Sequence, residues 1–189
     1  MAIPSGDFTK GSVIRRIFEF IEQSFGHQAK KQLDNFAAEI NLSSNMVTTS
    51  SWFPTSDYFK LLDITVELFS NGQAKQLCIN LGKYALEKDL KGIYRAFVRI
   101  LSPQAVLSKG GRIWRQYHSE GEWLANEIKQ NSCKITLLRN KNSNLHEWYV
   151  ALGGTVATIG IAGGKNVQYK VIKGDMPESS CFEFNCVWQ

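Results

Sequence analysis

A chain of 189 residues, 43% of them hydrophobic, can fill one core and is short for several. The formal charge of +5 comes from 22 basic and 17 acidic residues scattered along the whole length, so with no basic block nucleic-acid binding is not expected. No apolar run reaches the roughly 20 residues that cross a bilayer, and Met1 to Thr9 lacks the charged start and apolar stretch of a secretory signal. A cytoplasmic chain with no membrane span is expected.

The first two-thirds read as helical. Val13, Ile14, Ile17, Phe18, Ile21 and Phe25 recur at the spacing of one helix face over Phe8 to Phe25, and Gly26 stops the run. Leu33, Phe36, Ala37 and Ile40 mark a second helix from His27 to Ile40, followed by a polar loop from Asn41 to Ser51. Trp52-Phe53-Pro54 opens a third helix with Tyr58, Leu61, Leu62, Thr65, Leu68 and Phe69 as its buried stripe, and Asn71-Gly72 ends it. Gln73 to Lys88 and Leu90 to Leu101 give two more helices. Ser102-Pro103 starts a short turn of helix through Leu107.

From Lys109-Gly110-Gly111 the pattern shortens to strand length. Arg112 to His118, Glu122 to Lys129 and Cys133 to Arg139 read as strands. Leu145 to Gly160 is long and apolar and reads as a helix, with Gly153-Gly154 allowing close approach to a strand. Asn166 to Lys173 and Ser180 to Trp188 close the chain as strands. In the last one Phe182, Phe184, Cys186 and Trp188 point one way and Cys181, Glu183, Asn185 and Val187 the other. The expected class is α+β: an N-terminal helical layer packed on a C-terminal, mainly antiparallel sheet, with one late helix inserted between strands. A single domain over 1–189 is expected, helical to 108 and sheet-containing from 109.

Chemistry-bearing constellations are sparse. Cys78, Cys133, Cys181 and Cys186 form no CxxC pair, so free thiols are expected, with Cys133 and Cys181 the pair that could meet across strands. His118 with Glu120, Glu122 and Glu127 reads as a solvated rim rather than an acid–base or metal cluster. Gly160 to Lys165 ends in Gly-Lys without the spacing of a phosphate loop and follows a helix, so it is a helix terminator. No nucleophile–base or metal set stands out, and enzyme activity is not expected.

Several short landmarks do fall together: Lys10-Gly11, Trp52-Phe53-Pro54, Leu81-Gly82-Lys83, Ser102-Pro103 before Trp114, and Cys181-Phe182-Glu183-Phe184 with Val187-Trp188. In this order of helices and strands they resemble a bacterial family of standalone proteins, common in myxobacteria. That family is similar to the 4-vinyl-reductase-like small-ligand-binding domain. Its wider superfamily includes haem–nitric-oxide-binding domains and subunits of the Golgi transport tethering complex. The resemblance implies helices packed on one side of an antiparallel sheet, with a pocket between the layers.

For the haem branch the resemblance implies a proximal His on a helix and a Tyr-x-Ser-x-Arg motif before the late helix. The matching stretch, Leu137 to Ser143, lacks the motif. Tyr117-His118-Ser119-Glu120-Gly121 has Gly in place of Arg and lies too early. His27, His118 and His146 all lie outside the helices from Gln73 to Leu101, so neither haem nor another cofactor is expected. Most of the aromatics Trp52, Phe53, Tyr58, Tyr94, Trp114, Trp123 and Trp148 are expected in the core, and a pocket would be lined by such residues, with Trp52, Tyr58, Tyr94, Trp114 and Cys78 the leading candidates. Arg95 and Arg112, with Arg99 and Arg115, are candidates for an anionic group, because a guanidinium offers a planar fork. A tethering-complex relative holds an acyl chain on a helical Cys, which Cys78 could match, although a small core residue is the favoured reading. The reading is a non-enzymatic sensor of a small apolar or amphipathic ligand that signals to a protein partner. The alternative is a constitutive interaction module, a homodimer with a filled core.

Overall fold

The computed structural model describes residues 3–90, 98, 100–139, 143–177 and 179–189; most of the helix expected over Leu90 to Leu101 lies outside them. β1 (Phe8–Lys10) runs directly into α1 (Gly11–Phe25), and α2 (His27–Glu39) follows after Gly26. Gly26 has φ 89°, a turn that a residue without a Cβ makes cheaply. Ile14, Ile17, Phe18 and Ile21 are buried along one face of α1. β2 (Trp52–Pro54) pairs antiparallel with β1, Thr9 opposite Phe53, and leads into α3 (Thr55–Phe69).

The two short strands are an addition to the sequence reading, which gave Phe8 to Phe25 as one helical stretch with Lys10-Gly11-Ser12 preceding the helix, and Trp52 to Pro54 as the opening of the third helix. They extend because β1 has two partners. It pairs with β2 and also bonds the segment beyond α6, where Lys10 N donates to Tyr117 O and Ser119 N to Phe8 O.

α4 (Ala74–Asp89) is followed by two short helices, α5 (Pro103–Leu107) and α6 (Gly110–Trp114). Ser102 caps α5, its hydroxyl accepting from Ala105 N. α6 is a correction, since a strand was expected from Arg112 to His118. Gly110 lies flat against the Trp123 ring, where a Cβ would overlap the indole. The chain then coils through a further turn, His118 N bonding Trp114 O. The alternation of Ile113, Arg115 and Tyr117 spans too few residues to separate a strand from helical turns.

The rest is a four-stranded antiparallel sheet in the order β3 (Glu122–Lys129), β4 (Ser132–Leu138), β6 (Cys181–Val187), β5 (Gln168–Lys173), with α7 (Leu145–Ile161) between β4 and β5 in the chain. This is the expected α+β class, with the late helix inserted between strands. Cys133, Ile135 and Leu137 of β4 face Cys186, Phe184 and Phe182 of β6. All six are buried under Trp148, Leu152 and Ile159 of α7. The outer face is polar, with Lys134 paired to Glu183 at 3.0 Å. A second core joins α1 to α4 through Ile14, Phe18, Leu33, Leu61 and Leu81, and Val66 and Val150 pack against both cores.

Candidate ligand site

α7 is apolar all round because it has two partners. One side lies on the sheet and the other on α4. There the two helix backbones nearly touch: a Cβ on Gly82 would overlap the Val150 carbonyl oxygen, and one on Gly153 would overlap that of Ile79. The glycine pair therefore serves a helix, not the strand expected from sequence. Beside this contact, where α1, α6 and β3 close in, a cavity of about 150 Å³ remains. Its walls include Val13, Gly82, Ala85, Gly110, Trp114, Trp123 and Gly154. Arg16, Asp89 and Tyr117 line it too and are shared with an adjoining polar recess that carries Lys10 and Lys88. Arg16 holds Asp89 at 2.6 Å.

His118 brings the cavity its most distinctive group. It lines the cavity, is 6% exposed, and stacks on Trp114 with ring centroids 4.1 Å apart. Its Nδ1 lies 3.4 Å from Thr9 Oγ1 and 3.4 Å from Glu147 Oε1. Glu147, on the first turn of α7, accepts from Arg139 Nη2 at 3.0 Å, and Arg139 Nη1 donates to Asp7 at 2.6 Å. Arg139 also lies over the Phe59 ring, 5.4 Å from its centroid. Burial pushes the Glu147 carboxyl up to about 7 against the pull of Arg139. Burial, helped by the Arg139 charge, holds His118 well below its ordinary value, so its imidazole is neutral. This chain of buried polar groups ties the N-terminal strand to the end of β4, the start of α7 and the cavity wall.

The sequence-derived site residues scatter. Trp114 lines the cavity. Tyr58 is buried in the α1–α4 core, its ring 6.2 Å from that of His118. Cys78 is buried in the sheet-side core, where burial raises its thiol to about 12, which leaves little thiolate for acyl transfer. Trp52 sits on β2 under the Lys10 ammonium, 5.8 Å from its ring centroid. Arg112 and Arg115 are exposed. Tyr94, Arg95 and Arg99 lie outside the described residues. The histidine set aside as part of a solvated rim proves to be a core residue, and its carboxylate partner is Glu147 rather than Glu120, Glu122 or Glu127. Cys133 lies opposite Cys186, and Cys181 opposite Leu138, so Cys133 and Cys181 do not face each other across the strands, and all four thiols are free. Among the described residues no group of three His, Cys, Asp or Glu side chains could hold a metal ion, and no helix is long and apolar enough to cross a membrane.

No protein-family model matches the chain, and no curated protein matches it. Solved structures do. The chain is similar to the Fe(II) unliganded H-NOX protein from K. algicida, with 15% identity, 95% of this chain and 96% of that one covered, and a TM-score of 0.70. It is similar to a point mutant of T. tengcongensis H-NOX at 7% identity, 95% and 97% coverage and a TM-score of 0.70. A structure that probes haem distortion in the H-NOX family gives 7% identity, 95% coverage of each chain and a TM-score of 0.71. These likenesses overturn the expectation that haem is unlikely, since the solved structures that share this fold over nearly the whole chain are H-NOX proteins, among them ones described by their haem. The chain has the H-NOX fold.

Proposed function

We propose that this chain is a small-ligand sensor domain, not an enzyme, whose ligand occupies the cavity between α1, α4, α6 and α7. The observation that carries the reading is a mainly apolar cavity with one buried, neutral imidazole in its wall. Such a site gives binding area from its apolar lining and orientation from its few polar groups. The polar chain from His118 through Glu147 and Arg139 to Asp7 connects the cavity wall to β1. It offers a route by which occupancy is passed to a protein partner or a second copy.

Haem is a candidate occupant. His118 is the nitrogen donor its iron would take, with Glu147 behind Nδ1 as the group that orients a ligating imidazole. Lys10 and Lys88 in the adjoining recess suit its carboxylates. When bound, haem would supply an iron centre for a diatomic gas. A cavity of about 150 Å³ is the size that takes a benzene-sized body, so a porphyrin needs wider spacing of the helices than this conformation has. Titration of the purified chain with hemin decides the matter. A stoichiometric haem absorbance band that disappears in His118→Ala supports haem. Saturable binding of a single-ring probe without such a band supports the sensor reading with a smaller ligand. Binding of neither, with a dimer in solution, moves the assignment to an interaction module.

A further inference from the structure

Resting on that reading of the cavity, we infer that His118 presents a bare Nε2 lone pair to the cavity, and that the site selects a compact, uncharged, single-ring aromatic molecule carrying one O–H or N–H donor. The imidazole is neutral, so it carries one N–H. Two oxygens lie near Nδ1, those of Thr9 and Glu147, both at 3.4 Å. Above about pH 7 Glu147 is ionised, and its Oε1, held by Arg139, then accepts the imidazole proton at Nδ1 and leaves Nε2 as an acceptor. Among the described residues the polar contacts of the ring are both at Nδ1, and His118 lines the cavity.

The other polar groups in the wall are already engaged. Thr155 and Thr158 donate to Ala151 O and Gly154 O of their own helix. Asp89 is paired to Arg16. The Arg16 guanidinium in the wall is already paired to Asp89 and Glu19, so an anion gains little there against its desolvation, whereas a donor meets the imidazole acceptor. The walls are the aromatic faces of Trp114 and Trp123 and the flat surfaces of Gly82, Gly110 and Gly154, and the volume suits one ring.

The test compares phenol with benzene, which share shape and differ by one hydroxyl, followed by fluorescence of the wall tryptophans. Burying a hydroxyl with no partner is costly, so a purely apolar cavity prefers benzene. The His118 acceptor predicts the reverse, phenol binding tighter by roughly 3- to 10-fold. In His118→Phe, which keeps a ring stacked on Trp114, the preference should turn back to benzene. Nitrogen NMR of the imidazole in the wild-type chain gives a second reading that needs no variant. It should show protonated Nδ1, bare Nε2, and a shift of Nε2 alone when phenol is added. Tighter binding of benzene than of phenol, or a protonated Nε2, overturns the inference and leaves the cavity reading intact. If neither probe binds, the cavity reading fails and this inference with it.

Discussion

Glu147 and His118 touch, yet they respond to pH with opposite signs. Folded Glu147 keeps its proton up to about 7, while the unfolded chain loses it in the ordinary carboxylate range. The folded state thus binds more protons between those values, and this group's contribution weakens as pH rises through them. His118 is neutral when folded and protonates near its ordinary value of 6.5 only when unfolded. Its contribution is whole above that value and is lost as pH falls. Between about pH 5 and 6.5 the two therefore oppose each other. In Glu147→Gln the urea midpoint should fall more steeply than in the wild type as pH drops from 7 to 5; in His118→Phe it should rise relative to the wild type over the same range. Parallel profiles for all three chains would mean that neither group titrates as described. Arg139 is the cation on which both neighbours lean. Arg139→Met leaves Glu147 buried without its partner and should cost about 3–5 kcal/mol in urea denaturation. A loss below about 1 kcal/mol would show that the ion pairs carry little. None of this cluster is legible locally, because Thr9 lies 109 residues from His118 and Asp7 lies 132 from Arg139. The sequence shows each residue alone, and alone a His beside two Glu reads as surface.

Helices and long strands were legible because each repeats its pattern over many residues. The alternation of Phe182, Phe184 and Cys186 named the buried face of β6, and the stripe of Ile14, Ile17, Phe18 and Ile21 named that of α1. Elements defined by a distant partner were not legible. β1 extends because β2 and the segment after α6 bond it, and α6 coils where Gly110 meets Trp123. The Gly153-Gly154 pair sits between these cases, since its composition announced a close approach and could not say to what. The contact with α4 separates the two glycines. A Cβ on Gly153 meets the Ile79 backbone, whereas the nearest atom to one on Gly154 is Gly82 O at 3.7 Å, an ordinary contact. Gly154→Ala should therefore stabilise α7 by up to about 1 kcal/mol from helix propensity. Gly153→Ala should destabilise the chain in spite of the same gain, since two backbones must part. Thermal unfolding of the pair compares them directly. Equal effects would show that α4 and α7 are not in backbone contact.

At the scale of the whole molecule, the cavity lies where the two cores meet. Val13 of α1 belongs to the helical core, Trp114 and Trp123 belong to the sheet core, and all three line it. An occupant touches both cores at once and so stabilises their joint arrangement rather than either alone. A molecule that binds only the folded chain adds RT ln(1 + [L]/Kd), about 1.4 kcal/mol at ten times Kd. For a chain of this length that corresponds to a rise in Tm of roughly 3–6 °C. Where the protection appears matters more than its size. β1 bonds the segment carrying His118 on one side, through Lys10 N and Ser119 N, and reaches Arg139 through Asp7 on the other. Filling the cavity with phenol should therefore slow amide exchange at Lys10 and Ser119 beyond the global change. β5 lies at the sheet edge away from β3 and supplies no residue to the cavity wall, so its amides should follow the global change alone. Uniform slowing across both regions would mean that the occupant adds stability without being read at the N-terminal strand. The polar chain from His118 to Asp7 would then hold the fold together without carrying a signal.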